Sequence, residues 1–222
     1  MNWTVLEGPL LVTQRFELWK PRASDLDDMI RLIADDETRR FLGPALPEAK
    51  SVFERLQRNG GSWMFHGYGT FPVRRRGESE IVANCGVFHS WRGFGKGMDD
   101  VPEAGWIVRK DHWGQGLAKE VMAAALGWFD RVHGPRRIAC MIEEGNHASE
   151  RVAAALGFTP CGSHDLGENG RPAFVNLFER DRLQTESSLD FSRLGRIERP
   201  DHRRRCPTCF MGRRTFQRML AS

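Results

Sequence analysis

EAGWIVRKDHWGQGLAKEVMAAALGWFDRVHGPRRIACMIEEGNHASERVAAALGF, residues 103–158, is the stretch on which the fold turns. It reads as strand, glycine-rich turn, helix, strand, helix. Ala104 to Arg109 is a short apolar run with Trp106, Ile107 and Val108, and is expected to be a buried strand. Trp113-Gly114-Gln115-Gly116-Leu117-Ala118 follows as a turn that opens into a helix. Leu117, Val121, Ala125, Trp128, Phe129 and Val132 then recur at three- and four-residue intervals and form one apolar face. Gly134-Pro135 ends that helix, and Arg137 to Ile142 is the next apolar run. Asn146 caps a second helix, which Gly157 closes.

A strand that turns through glycines into a helix has a definite chemistry. The first helical turn carries N–H groups with no internal partner, and the helix dipole adds positive potential. Glycines at 114 and 116 let a ligand approach the backbone. Such a turn suits a phosphate or pyrophosphate, although a plain connecting loop can have the same spacing. Two nucleotide sites are excluded. The dinucleotide fingerprint needs a third glycine where Lys119 stands, and the chain holds no Gly-Lys-Ser/Thr.

The stretch as a whole resembles the GNAT superfamily of N-acetyltransferases, and within it the subgroup of ribosomal-protein N-terminal acetyltransferases of the RimJ/RimL type. The residues that carry the resemblance are Glu103-Ala104-Gly105-Trp106, Trp113 to Ala118, Asn146 with Ser149, and Leu156-Gly157-Phe158. Thr13 to Arg22, with Asp25, also looks like the first strand and helix entry of that subgroup. The resemblance fades after Arg182. It implies an α/β (α+β) fold of GNAT type. That fold is a mixed, mainly antiparallel seven-stranded sheet flanked by about four helices, with a splay between the fourth and fifth strands.

The rest of the chain fits that expectation. Residues 1–13 read as a lead-in and Arg15 to Trp19 as a strand. Ser24 is expected to cap a helix through Thr38, broken by Gly43-Pro44. A second helix begins at Pro47 and is expected to end at Asn59-Gly60-Gly61. Ser62 to Val73 and Ile81 to Trp91 read as a hairpin, with Arg74, Arg75 and Arg76 at a solvated tip. Arg92 to Asp100 is a glycine-rich loop, read either as a substrate loop or as a disordered connector. Phe158 to Ser163 and Ala173 to Phe178 read as the last strands.

Acetyl transfer to an amine needs the donor held, the amine neutral, the oxyanion met by a hydrogen bond and the thiolate protonated. By resemblance, the N–H groups of Gly114, Gln115, Gly116, Leu117 and Ala118 hold the pyrophosphate of acetyl-CoA. Its pantetheine arm lies along Ile107, Val108 and Arg109, and the Val108 N–H meets the oxyanion. Trp113 takes a position where much of the superfamily has Gln or Arg, so the pyrophosphate is expected to rely on backbone donors. An amine with a reference pKa of ~8 to ~10.4 is largely protonated at neutral pH, and a carboxylate can take its proton. Glu103 stands at the subgroup's position for that role, or is a strand-end glutamate. Asp99 and Asp100 are the alternatives. Many members protonate the thiolate with a tyrosine in the last helix. Here the only tyrosine is Tyr68. Ser149 remains, either as a proton relay or as an ordinary first-turn serine. Asn146 is a helix cap, a pantetheine contact, or both.

The length suits one domain with a sizeable core. The net charge of +4 is uneven. From Gln184 onward nine arginines face four acids, a balance of +5 that leaves −1 for residues 1–183. The basic character therefore belongs to the tail, which weakens a nucleic-acid role for the folded part. The expected division is an N-acetyltransferase domain over residues 1–183 and a basic, disordered tail over 184–222 with weak nucleic-acid or ribosome contact as one role. Cys206 and Cys209 have the spacing of half a zinc site, with no second pair, so no metal is expected. Five cysteines, no signal peptide and no apolar run long enough to span a membrane predict a cytoplasmic protein with reduced thiols.

The reading is an acetyl-CoA-dependent N-acetyltransferase acting on a primary amine, a protein N-terminus or a small molecule. The alternatives are a non-catalytic CoA-binding regulatory module and the same fold with another acyl-CoA donor. Oligomerisation is left open.

Overall fold

The computed structural model describes residues 8–42, 48–167 and 172–181. Among them eight strands form one sheet in the order β1-β2-β3-β4-β5-β6-β8-β7. The strands are β1 (Leu11–Val12), β2 (Phe16–Leu18), β3 (Thr70–Arg75), β4 (Ile81–Trp91), β5 (Asp99–Val108), β6 (Ile138–Glu143), β7 (Thr159–Asp165) and β8 (Phe174–Arg180). Every pairing is antiparallel except β5 with β6. The helices are α1 (Leu26–Leu32), α2 (Asp36–Arg39), α3 (Ala49–His66), α4 (Leu117–His133) and α5 (His147–Ala155).

The two faces of the sheet are covered by different helices. Met29, Leu32 and Ile33 from α1 and its end pack with Val52 of α3, Ile81 and Ile107 on one face. Leu117, Val121, Ala125 and Phe129 of α4, with Ala153 of α5, pack on Phe71, Val73, Ala83, Cys85, Val87, Ala104 and Cys140 on the other. Covered on both sides, β4 is buried from Ile81 through Val87, which is why it reads as a continuous apolar run.

The expected count of seven strands becomes eight, because Leu11–Val12 in the supposed lead-in pairs with β2. The splay accordingly lies between the fifth and sixth strands. The helix expected from Ser24 is two helices, α1 and α2. Asp35 caps the second by accepting from the Thr38 N–H at 2.9 Å, and Asp25, not Ser24, holds the entry by accepting from the Arg22 N–H. The expected break at Gly43-Pro44 lies outside the described residues, as does the tail at 184–222 with Cys206 and Cys209.

The largest departure is α3. It runs through Gly60-Gly61 to His66, where Gly67 at φ 77° ends it, in place of a strand from Ser62. Two glycines cost roughly 1 kcal/mol each in a helix. Tertiary bonds offset that cost. Asn59 exchanges hydrogen bonds with Thr70 N and O at 2.8 and 3.0 Å. The Trp63 indole donates to Thr70 O. The Ser62 hydroxyl donates to Tyr68 O and accepts from the His89 N–H. Arg74 is also not at a solvated tip: it is buried and its guanidinium meets Asp25 at 2.6 Å.

Candidate active site

The parallel pairing of β5 and β6 covers two residue pairs, Glu103 with Ala139 and Ala104 with Cys140. Beyond them β5 stays paired with β4 as far as Val108, while β6 stays paired with β8 as far as Glu143. The two strands therefore part at Ala104 and leave a gap lined by unpaired backbone. The ladder fixes which groups face it. Arg109 N–H bonds to Val82 O at 3.0 Å. In an antiparallel ladder bonded and non-bonded pairs alternate. Arg109, Ile107 and Gly105 thus point their polar groups at β4, and Val108 and Trp106 point theirs into the gap. The Trp113 indole accordingly reaches the Val108 carbonyl, at 2.7 Å.

The glycine turn stands at the open end. Gly114 and Gly116 have φ of 71° and 75°, a region that favours glycine. Trp113 N–H bonds back to Lys110 O, and the next such bond is Glu120 N–H to Gly116 O. Among the described residues, the N–H groups of 114–118 have no carbonyl partner in that interval. Free N–H groups gathered in this way at the start of a 17-residue helix can cradle an anion.

A cation stands beside the cradle that the sequence reading missed. Arg15 donates to the Gln115 carbonyl at 3.0 Å, and Glu120 fixes it with bonds at 3.1 and 2.7 Å. The N-terminal segment thus places an ion-paired arginine beside the turn. No local signal pairs residues 100 apart in the chain. The Arg109 side chain is bound to Asp111 and Glu80, and Asp111 is held down to a pKa of about 2, chiefly by Arg109. Gln115 donates its side-chain amide to Asp111 O, and Leu117 is buried under the helix.

Ser149 and Asn146 stand across the gap from the glycine turn. The Trp106 indole donates to Ser149 Oγ at 3.2 Å. That bond uses the oxygen as acceptor and leaves the hydroxyl proton free to donate. Asn146 Oδ1 accepts from the Ser149 N–H at 3.1 Å, so it is the helix cap, and its amide NH2 remains a donor.

Glu103 lies on the other face of β5, where it pairs across to Phe88. It is 3% exposed, and both its oxygens are held by Arg92. Asp99 is spent on the Gly93 and Gly95 N–H groups, which lower its pKa, and Asp100 on His89. The glycine-rich loop is therefore not a loose connector. Asp99 ties it internally, Arg137 and Lys96 tie it to the strands beyond, and Met98 is buried beneath it. No group of His, Cys, Asp and Glu able to hold a metal occurs among the described residues. No helix among them is long and apolar enough to cross a membrane.

The profile of the acetyltransferase (GNAT) domain matches residues 15–159. The chain belongs to the GNAT family. It is an acyltransferase, and its sheet has the GNAT fold. A GNAT-family acetyltransferase of Bordetella pertussis is 31% identical, with a TM-score of 0.66, over 77% of this chain and 98% of that one. YoaA, an uncharacterized N-acetyltransferase of Bacillus subtilis strain 168, is 23% identical over 77% of this chain and 95% of its own length. RimL, the ribosomal L7/L12 α-N-protein acetyltransferase solved in complex with coenzyme A, shares the GNAT fold at a TM-score of 0.61. It is 20% identical over 77% of this chain and 96% of RimL.

Proposed function

We propose that the protein transfers an acetyl group from acetyl-CoA directly to a primary amine. The observation that carries this reading is the gap opened after Ala104 and Cys140, with the Val108 N–H turned into it and unpartnered N–H groups at 114–118 at its mouth. The fit to a CoA thioester is chemical. Backbone donors and Arg15 suit the pyrophosphate. The edge of β5 suits a pantetheine amide chain, which can add to it as a strand would. Asn146 offers its amide NH2 to the same chain.

Transfer forms the N–C bond, breaks the C–S bond and moves one proton from the amine and one to the sulfur. The Val108 N–H meets the oxygen that gains charge, a contact that costs about 3 kcal/mol to lose in comparable sites. The Ser149 hydroxyl donates to the departing sulfur, with Trp106 orienting it. Glu103 takes the amine proton through water, and Arg92 holds the carboxylate for that purpose. Each carboxylate oxygen keeps a lone pair beyond the one that Arg92 uses.

The test is thiol release from acetyl-CoA with and without a mixed panel of small amines and N-terminal peptides. Amine-dependent release is expected. Binding of acetyl-CoA without release on any acceptor would overturn the acetyl transfer, and no binding would overturn the site itself.

A further inference from the structure

Down the α1/α3 face of the two central strands run three cross-strand pairs: Asn84 with Ile107, Gly86 with Gly105, and Phe88 with Glu103. The middle pair has no side chains. A Cβ on Gly105 would meet only the edge of Phe88, at 3.2 Å, and nothing from a helix, whereas one on Gly86 would meet Gly69 O at 2.9 Å and Thr70 Cα at 3.0 Å on its β3 side. The strip thus has a middle without side chains and a polar group at each end. At one end Asn84 is 6% exposed, and its Oδ1 is buried without a partner. At the other end is the Glu103–Arg92 ion pair.

Above this strip lies α3. Its Val52 packs in the same cluster as Ile107, and Leu56 is buried. Arg55 stands between these two, half-buried. No hydrogen bond or ion pair joins Arg55 to any described residue. Burial, and then the charges of Arg58 and Arg92, push its pKa down. A cation held out of water among other cations is costly unless an anion joins it. Arg92 is neutralised by Glu103, whereas Arg55 is not.

We infer that Arg55 binds an anionic group of the acceptor, so that the acceptor is an amine that also carries a carboxylate. It is either a free amino acid or a peptide whose N-terminal residue is acidic. The amine lies over the glycine floor toward Glu103. The carboxylate turns up to Arg55, with the exposed Arg58 one turn along drawing it in. This rests on the acetyltransferase reading for the amine, but the anion site stands apart from it.

Two readouts separate the claims. The first is the ratio of kcat/KM for acidic acceptors, glutamate and an N-terminal Asp peptide, to that for neutral acceptors of the same size. The ratio should fall at least about tenfold in Arg55→Met. Whichever acidic acceptor gives the larger fall identifies the source of the carboxylate. The second is thermal stability with added glutamate and no acetyl-CoA. Wild type should show a saturable rise that Arg55→Met lacks. Without ligand, Arg55→Met should melt no lower than wild type, because it removes an unpaired charge. A merely structural arginine would lower it. An unchanged acceptor preference in an active enzyme, or no glutamate-dependent rise in wild type, overturns the inference. A glutamate rise lost in Arg55→Met without acetyl transfer to any amine keeps the anion site and overturns the transfer.

Discussion

Glu103 and Arg92 are joined by two hydrogen bonds, Oε1 to Nη2 at 2.5 Å and Oε2 to Nε at 2.8 Å, at the point where β5 and β6 begin to part. The carboxylate is buried and the guanidinium is about a third exposed. The pair therefore combines a group set at the base of the gap with a partner that water and ligands can reach.

Removing either partner has different consequences. Arg92→Ala leaves a buried carboxylate alone, which costs about 3–5 kcal/mol in a dry site and, with water admitted where Arg92 stood, ~2 kcal/mol here. Glu103→Gln should be milder in stability, at ~1 kcal/mol, but should lower kcat by about 100-fold. Denaturation curves and steady-state kinetics of both variants check this. An unchanged kcat in Glu103→Gln would mean that the pair is structural.

Ser149→Ala should lower kcat by about 100-fold with little change in the KM for acetyl-CoA, because the hydroxyl acts on the leaving sulfur and not on the bound phosphates. Trp106→Phe removes the bond that orients the hydroxyl and should lose less. Steady-state kinetics on the two variants decide it. A rise in KM alone would make Ser149 a binding residue.

The glycine turn is testable without catalysis. A Cβ fits at Gly114 and Gly116, where nothing lies closer than the Arg15 guanidinium at 3.8 Å. Any loss in Gly116→Ala thus comes from the left-handed backbone, about 1–2 kcal/mol, with weaker CoA binding as the turn relaxes. Arg15→Ala should weaken CoA by about fivefold, an effect that shrinks at high salt. Calorimetric titration at two salt concentrations measures both.

How much of this was legible depends on sequence distance. Gly114, Gly116, Asn146 and the apolar face of α4 from Leu117 to Phe129 are local signals, and the structure holds them where the spacing put them, whereas Val132, in the last turn, is exposed. Arg15 beside Gln115, Arg92 on Glu103 and Trp106 on Ser149 join residues that no periodicity links. The helix through Gly60-Gly61 was illegible for the same reason: the bonds of Asn59, Ser62 and Trp63 to β3 and β4 outweigh local propensity.

Acid should weaken the fold through His133. Burial lowers its pKa, Arg136 adds to the effect, and its Nε2 is buried without a partner. The unfolded chain then takes up a proton that the folded one refuses, so stability falls as pH drops below about 6.5. His66 pulls the same way through burial and His89. His133→Phe, which keeps an aromatic ring against Tyr68 and Phe129, should flatten the fall in Tm between pH 7.5 and 5.5. An equal fall in wild type and variant would contradict this.

The central claim is that the donor lies along β5 in the gap, and residue-level amide hydrogen exchange with and without acetyl-CoA tests it most directly. The Val108 amide faces the gap and should gain protection on binding, together with those of 114–118. The Ile107 amide, already turned to β4, should not change. Protection at 114–118 with none at Val108, or equal protection along β5 irrespective of parity, would contradict the account.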